Sequence, residues 1–437
     1  MKYFAFLHKK SHIILIVIIT VFFGLLMISF SSPDIFGMIY VSEKLFTQNI
    51  YDFVLQNKAV CPWLEAPFPP LYYIFMGLYV IGIKFLHLVP NVLFTLNKCP
   101  IWELTLNASI LFWTKFPLLI FHFLSAVLFT RFFSKQKFLW FLFWFLNPAI
   151  IFVSFAGGYF DIIGVFFILL SLWYARSHNL PLAALSIGIA GALKHHPFLL
   201  VLPMAIILCS SFKDRIRFIL LSIIPYCIGA AFFLSPSLMH VFQFSENYRL
   251  FDLSFFIGQT KVSIFFFFYF LILIRLVINQ RKTFEDLVIA CFLVFLVFLT
   301  TVFWFHNWFL YILPTALLLA SRSKKINITL TLFYPIYFAY IIFLFPGIYD
   351  HGMLRPILKT FHPIIFSLGW FSMDTVRQII LSSSLAIFVS LGYLSLHESL
   401  KQDREIWLGD VLFPLLSFGG CLVVLLIFIF VSGSSFF

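Results

Sequence analysis

Two carboxylates stand where they could take part in proton transfer. Asp34 lies in Ser31-Ser32-Pro33-Asp34-Ile35-Phe36, directly after an apolar run over 12–30. Partial desolvation at a membrane surface raises a carboxylate's proton affinity toward the range a general base needs, so Asp34 could deprotonate an acceptor hydroxyl there. A helix-end or turn residue is its ordinary alternative. Asp161 ends Gly157-Gly158-Tyr159-Phe160-Asp161, where one apolar run stops and the next begins. It fits a helix N-cap, a second carboxylate at the same surface, or both. The two glycines before it permit close backbone approach or unusual dihedrals.

The cations suggest phosphate binding. Lys194, His195 and His196 end a short apolar run, and His306 sits in Trp304-Phe305-His306-Asn307-Trp308-Phe309. Arg249 and Lys261 lie in a longer polar stretch. Each has a plain use as well, as a snorkelling side chain or a member of an interfacial aromatic belt. Glu65 and Tyr72 flank Pro69-Pro70, where proline fixes a turn into the next run, and are candidates to touch substrate. Three adjacent residues on a helix diverge, so Lys194–His196 do not make a metal site by themselves. No P-loop, H-E-x-x-H, C-x-x-C or G-x-S-x-G occurs. No metal ligand set or cofactor is therefore assigned.

The elements that must carry these residues are set by composition. Of 437 residues 62% are hydrophobic, 11% are charged and 64 are Phe; mean hydropathy is +1.05. A soluble domain carries about 25% charge, and burial saturates with size, so the solvent must be largely lipid. Disorder, coiled coil, disulfide scaffold and nucleic-acid binding are excluded on the same grounds. The net charge of +12 is read as loop cations that fix orientation. Cys209, Cys227, Cys291 and Cys421 lie in or beside apolar runs and read as packing residues. Cys61 and Cys99, each followed by Pro, could pair in an oxidising compartment.

Spans are expected at 12–30, 105–130, 138–155, 162–175, 181–194, 197–209, 216–234, 262–279, 286–304, 308–320, 326–345, 376–396 and 411–432. These thirteen place 17 of the 29 Lys and Arg in inside loops and most acids outside. The segment 69–88 is long enough to cross, but counting it inverts every later loop. It is read as a re-entrant or interfacial helix in the first outer loop. The fold expected is an all-α integral membrane protein with about 13 transmembrane helices plus that extra helix, forming one multi-span domain over 1–437. Lys194–Pro197 falls at the outer tip of a tight hairpin. The longer segments 31–68, 235–261 and 346–375 share the outer face, which marks it as the working face.

Together these features resemble the GT-C glycosyltransferases, multi-span enzymes that use polyprenyl- or dolichyl-phosphate sugars. Asp34 matches the family's first-loop catalytic acid. Phe68-Pro69-Pro70-Leu71 is similar to its Y-P-P-L segment, and Asn147-Pro148 with Gly158-Tyr159-Phe160-Asp161 to its N-P…G-x-x-D stretch. Lys194-His195-His196-Pro197 before Leu202-Pro203, and His306 before Tyr311-Ile312-Leu313-Pro314, resemble later family elements. The likeness covers roughly 12–320. It implies a catalytic module over 1–240 and a variable, substrate-adapting half over 241–437.

The first loop departs from the family in lacking D-x-D, since Ile35 and Phe36 follow Asp34, and Phe68 replaces Tyr. A divalent metal fits the family but has no such motif here. The resemblance implies an inverting sugar transfer, mannose being the first candidate, from a polyprenyl-phosphate donor to a lipid or glycan acceptor. It would occur on the periplasmic or lumenal face, in a bacterial inner membrane rather than the endoplasmic reticulum. A flippase or transporter of lipid-linked glycan, and a non-catalytic partner subunit of the same fold, are the alternatives. A transporter calls for polar groups in mid-span, whereas the acids here cluster at span ends and in loops.

Overall fold

A computed structural model describes residues 10–29, 49, 52, 68–88, 108–234, 250, 253–257, 259–279, 282–302, 306–344 and 373–397. Most of them are helical. In chain order the helices are α1 (Lys10–Ser29), α2 (Pro70–Phe85), α3 (Ala108–Phe129), α4 (Lys137–Phe145), α5 (Asp161–Arg176), α6 (Leu180–Leu193), α7 (Val201–Leu208) and α8 (Phe212–Ala231). A hairpin of β1 (Ser254–Ile257) and β2 (Thr260–Ser263) follows. Then come α9 (Ile264–Ile278), α10 (Phe284–Thr301), α11 (Leu313–Ala320), α12 (Lys324–Leu344) and α13 (Met373–His397). Four helical stretches are long and apolar enough to cross a membrane: Lys10–Ser29, Ala108–Phe132, Lys137–Ala156 and Phe284–Thr301. The expected span 411–432 lies outside the described residues.

The mostly helical fold agrees with the all-α expectation, to which one short hairpin is added. Ser254-Phe255-Phe256-Ile257 and Thr260-Lys261-Val262-Ser263 are rich in aromatic and β-branched residues, separated in sequence by Gly258-Gln259, and they pair antiparallel. That composition favours strand pairing, within a stretch read from sequence as plain loop.

The chain forms two compact units, and it passes between them more than once. One unit comprises Met1–Pro33, Thr105–Tyr159 and Ala316–Phe437. Here α1 lies against α3, and α12 against α13. Phe23, fully buried, stacks on Phe155 with centroids 4.6 Å apart and packs near Phe145 and His122. After α4 the chain breaks at Asn147-Pro148, because proline lacks an N–H and suits the first turn of a helix. Asn147 accepts hydrogen bonds from the Ala149 and Ile150 amides and donates to Tyr334 Oη at 2.6 Å. A π-helical stretch, Ile151–Gly157, follows and ends at Gly158 with φ 74°.

Two polar side chains missed from sequence lie wholly inside this unit. Lys115 and His122, both on α3, have no solvent exposure. Lys115 Nζ donates to the Phe155 and Ala156 carbonyls at 2.8 and 3.1 Å, at the end of the π-helical stretch. That end leaves carbonyls without helical partners, and a cation suits it. His122 Nε2 is 2.9 Å from the Phe145 carbonyl. Both reach backbone carbonyls, as helix-end fasteners do.

The other unit comprises Asp34–Leu104 and Phe160–Thr315. Helices α5, α6 and α8 pack in series, with α2 against α6 and α8. Gly188 on α6 permits this: a Cβ there would run into the Ser222 backbone on α8. Cys209 and Cys291 are buried, as packing residues should be, whereas Cys227 is exposed on α8. Cys61, Cys99 and Cys421 lie outside the described residues.

Gly188→Ala is expected to destabilise the protein by about 1–3 kcal/mol through overpacking. Gly82→Ala on α2, where nothing lies within 4 Å, should be neutral or stabilising by up to about 1 kcal/mol from helix propensity. Thermal unfolding of the two variants in detergent compares them directly.

Candidate functional site

The second unit brings together residues far apart in sequence around Asp161. This residue is the first of α5, not its N-cap; Phe160 holds that position without a side-chain bond. The N-cap reading of Asp161 is thereby corrected. Its carboxylate instead faces a cation and an amide. Lys194 Nζ lies 3.2 Å from Oδ1, with the two side chains 12% and 4% exposed. Asn307 Nδ2 donates to Oδ2 at 2.8 Å. Gly164, one turn along α5, makes room for the Tyr311 ring, whose edge would lie 3.2 Å from a Cβ at 164. The positive end of the α5 dipole adds to the field that holds the negative charge.

Lys194 follows α6 in extended conformation, with φ −156° and ψ 138°. Proline at 197 has no N–H for the Leu193 carbonyl and its ring would clash with that carbonyl, so α6 stops at Leu193 and the chain resumes in the short 3-10 helix His196–Leu200. The turn sends the three basic residues in different directions. Lys194 Nζ is 5.1 Å from the Phe68 ring centre and 6.0 Å from that of Trp308. His196 lies among Trp308 at 4.2 Å, Phe298 at 5.0 Å and Tyr311 at 5.9 Å. His195 turns toward Tyr226, 5.9 Å away. Burial, with Lys194 beside it, pushes His195 down to about 4, so it is neutral near pH 7.

Phe68 and Pro69 lead into α2. Phe68 stacks on Tyr72 with centroids 4.3 Å apart, and Tyr72 meets Phe160 edge-on at 6.2 Å. The Phe68-Pro69-Pro70-Leu71 segment, the Asp161 stretch, the Lys194 turn and the 306–311 turn thus converge on one aromatic-walled ion pair. A cation over π faces is held by the ring quadrupoles as well as by the carboxylate. The arrangement can present an ammonium to an anion while aromatic faces flank it.

Of the residues singled out by sequence, Asp161, Lys194, His196 and Tyr72 meet here, and His195 lies at the back of the same turn. Lys261 does not join them; it is exposed on β2. The backbone of His306 opens the 3-10 turn His306–Tyr311, while its side chain, with Asp34, Glu65 and Arg249, lies outside the described residues. Asn307, Trp308 and Tyr311 were missed. Their one sequence signal was the position next to His306, since Asn, Trp and Tyr carry no charge to draw notice. Among the described residues no group of three or more His, Cys, Asp or Glu could hold a metal ion.

No family model, curated protein or solved structure matches the chain. The class of protein defined by fold and site is a mostly helical protein with helices long and apolar enough to cross a membrane and an Asp–Lys pair among aromatic rings.

Lys194→Met leaves Asp161 as an uncompensated buried charge and should cost about 3–5 kcal/mol of stability. The double variant Asp161→Asn/Lys194→Met should recover part of that loss, which thermal unfolding of the single and double variants will read. His195 supplies a second test. Its folded value, about 4, lies below the ordinary 6.5. Its contribution is therefore complete above pH 6.5 and declines as pH falls toward 4, because the unfolded state takes the proton first. His195→Gln should lose less stability than wild type between pH 7.5 and 4.5.

Proposed function

We propose that this chain is an integral-membrane glycosyltransferase that moves a sugar from a polyprenyl-phosphate donor to a lipid or glycan acceptor. The observation that carries the proposal is the Asp161–Lys194 pair beside Phe68 and Trp308. A phosphate leaving group develops charge, and a cation fixed in a low-dielectric, ring-lined site stabilises it without reorganising. Aromatic faces beside the cation suit the apolar face of a sugar ring.

The step is an inverting displacement. Asp34 takes the proton of the acceptor hydroxyl, and the acceptor oxygen bonds to the anomeric carbon. The bond from that carbon to the donor phosphate oxygen breaks, and its electron pair leaves with the phosphate, which Lys194 stabilises. Asp161, ion-paired to Lys194 and accepting from Asn307, acts as a positioning residue for Lys194 rather than as a base. His306 and Arg249 remain candidate phosphate contacts, and Glu65 and Tyr72 candidate substrate contacts; Lys261, exposed on β2, is not among them.

Thirteen spans with 69–88 re-entering belong to the same proposal. The α2 helix has 16 residues, about 24 Å at 1.5 Å per residue, against a hydrocarbon core of about 30 Å. That length suits a re-entrant or interfacial element. The favoured setting is a bacterial inner membrane with the periplasmic face active, and mannose is the first sugar to test. Lys115 and His122 are polar groups in mid-helix, as a transport path would need. Their bonds to backbone carbonyls instead support a packing role.

Deleting the gene should truncate a lipid-linked glycan by one sugar, read by mass spectrometry, which identifies both sugar and acceptor. Complementation with Asp34→Asn should leave the truncation in place at normal protein level. Near-wild-type glycan in that strain would remove Asp34 as the base. Movement of labelled lipid across vesicles without covalent transfer would replace the enzyme reading by a flippase.

A further inference from the structure

The β1–β2 hairpin has a surface that suits neither water nor hydrocarbon. Much of its exposed surface is apolar, Leu253 being 48% exposed, Phe256 69% and Ile257 64%, with Gln259, Thr260 and Lys261 exposed beside them. Phe255 meets Phe267 of α9 edge-on at 6.2 Å. In water, a two-stranded ribbon of four residues a side is marginal, and an exposed apolar edge invites aggregation. In hydrocarbon, the strand edges fail for a different reason. The sheet has two strands among the described residues, so each strand has one edge facing no other strand. Unsatisfied backbone groups cost several kcal/mol each in lipid.

The headgroup layer meets both demands. Water and headgroups satisfy the edge amides and carbonyls there, while aromatic side chains reach the acyl boundary. Two further features point to the same place. The hairpin runs directly into α9: Ser263 caps that helix, accepting from the Phe266 amide, and donates back to the Leu250 carbonyl. The exposed side of α9 is a continuous apolar surface that includes Phe267, Phe270, Leu271 and Ile274. In the register Phe256 stands opposite Lys261. Cross-strand partners share a face, so the most exposed ring of the hairpin sits beside a cation. That pairing suits a ring in the acyl boundary and an ammonium at the phosphates of anionic lipid.

We infer that the β1–β2 hairpin is a membrane-interface anchor, with Phe256 and Ile257 in the outer acyl boundary and Lys261 on anionic phospholipid headgroups. This assigns Lys261 to bulk lipid and does not depend on the sugar-transfer proposal.

The test uses the full chain, with its native cysteines replaced and shown to fold, in proteoliposomes. Nitroxides are placed by Phe256→Cys and, as a milder change, Gln259→Cys. Accessibility to oxygen and to a water-soluble nickel complex reports depth. The expected position for 256 is about 5–10 Å below the phosphates, the usual depth of an interfacial apolar face, with 259 shallower. Water-like accessibility at both sites, a position at the bilayer centre, or exclusion of both reagents by protein would each overturn the anchor. Lys261→Glu should shift the 256 label outward in vesicles of phosphatidylcholine with phosphatidylglycerol, and less in phosphatidylcholine alone. An equal response in both would overturn the anionic-headgroup assignment.

Discussion

The Asp161–Lys194 ion pair is the constraint around which the second unit is organised. A charge placed in an apolar bundle is costly unless it meets a partner of opposite sign and donors that complete its hydrogen bonding. Asp161 obtains the cation from the turn after α6 and the amide from Asn307 in the 306–311 turn. Two separate segments are therefore tied to the first turn of α5. The geometry around them follows from that requirement: Gly164 clears space for Tyr311, and Pro197 breaks the helix so that Lys194 can leave it extended.

The same pair accounts for the chemical character of the site. Its walls are aromatic because rings can lie against a cation without demanding a hydrogen bond of their own. Phe68 and Trp308 flank the ammonium, and His196 completes the box beside Trp308 and Tyr311. A carboxylate engaged by an ammonium and an amide serves better to orient a cation than to accept a proton from substrate. The division of labour between Asp34 and Asp161 in the proposed reaction rests on this. The first unit solves the related problem of a buried charge differently. There Lys115 has carbonyl oxygens at a helix end as its partners, so the dipole of the backbone stands in for an acid.

Much of the architecture was legible in the sequence because lipid imposes a one-dimensional code. Apolar runs become helices since no other single segment satisfies its own backbone in hydrocarbon. Helices α1, α3, α5, α6, α10, α12 and α13 fall where those runs lie. The hairpin escaped notice because an alternation only four residues long, beside a Phe-rich run, resembles the start of the next helix. Cys227 was misread for a similar reason: an apolar neighbourhood in sequence does not say which side of a helix faces inward.

Composition and motif order alone pointed to helices long and apolar enough to cross a membrane, placed most of their starts, and singled out Asp161, Lys194, His196 and Tyr72. Scarcity made this legible, since a charge among so many apolar residues needs a reason to be there. Which of them meet was decided by tertiary structure. Asp161 and Asn307 are 146 residues apart yet share a hydrogen bond, whereas Lys194, His195 and His196 are adjacent in the chain and turn to different neighbours. Partnership between buried polar groups depends on distance and direction in three dimensions. Neither hydropathy nor spacing along the chain carries that information.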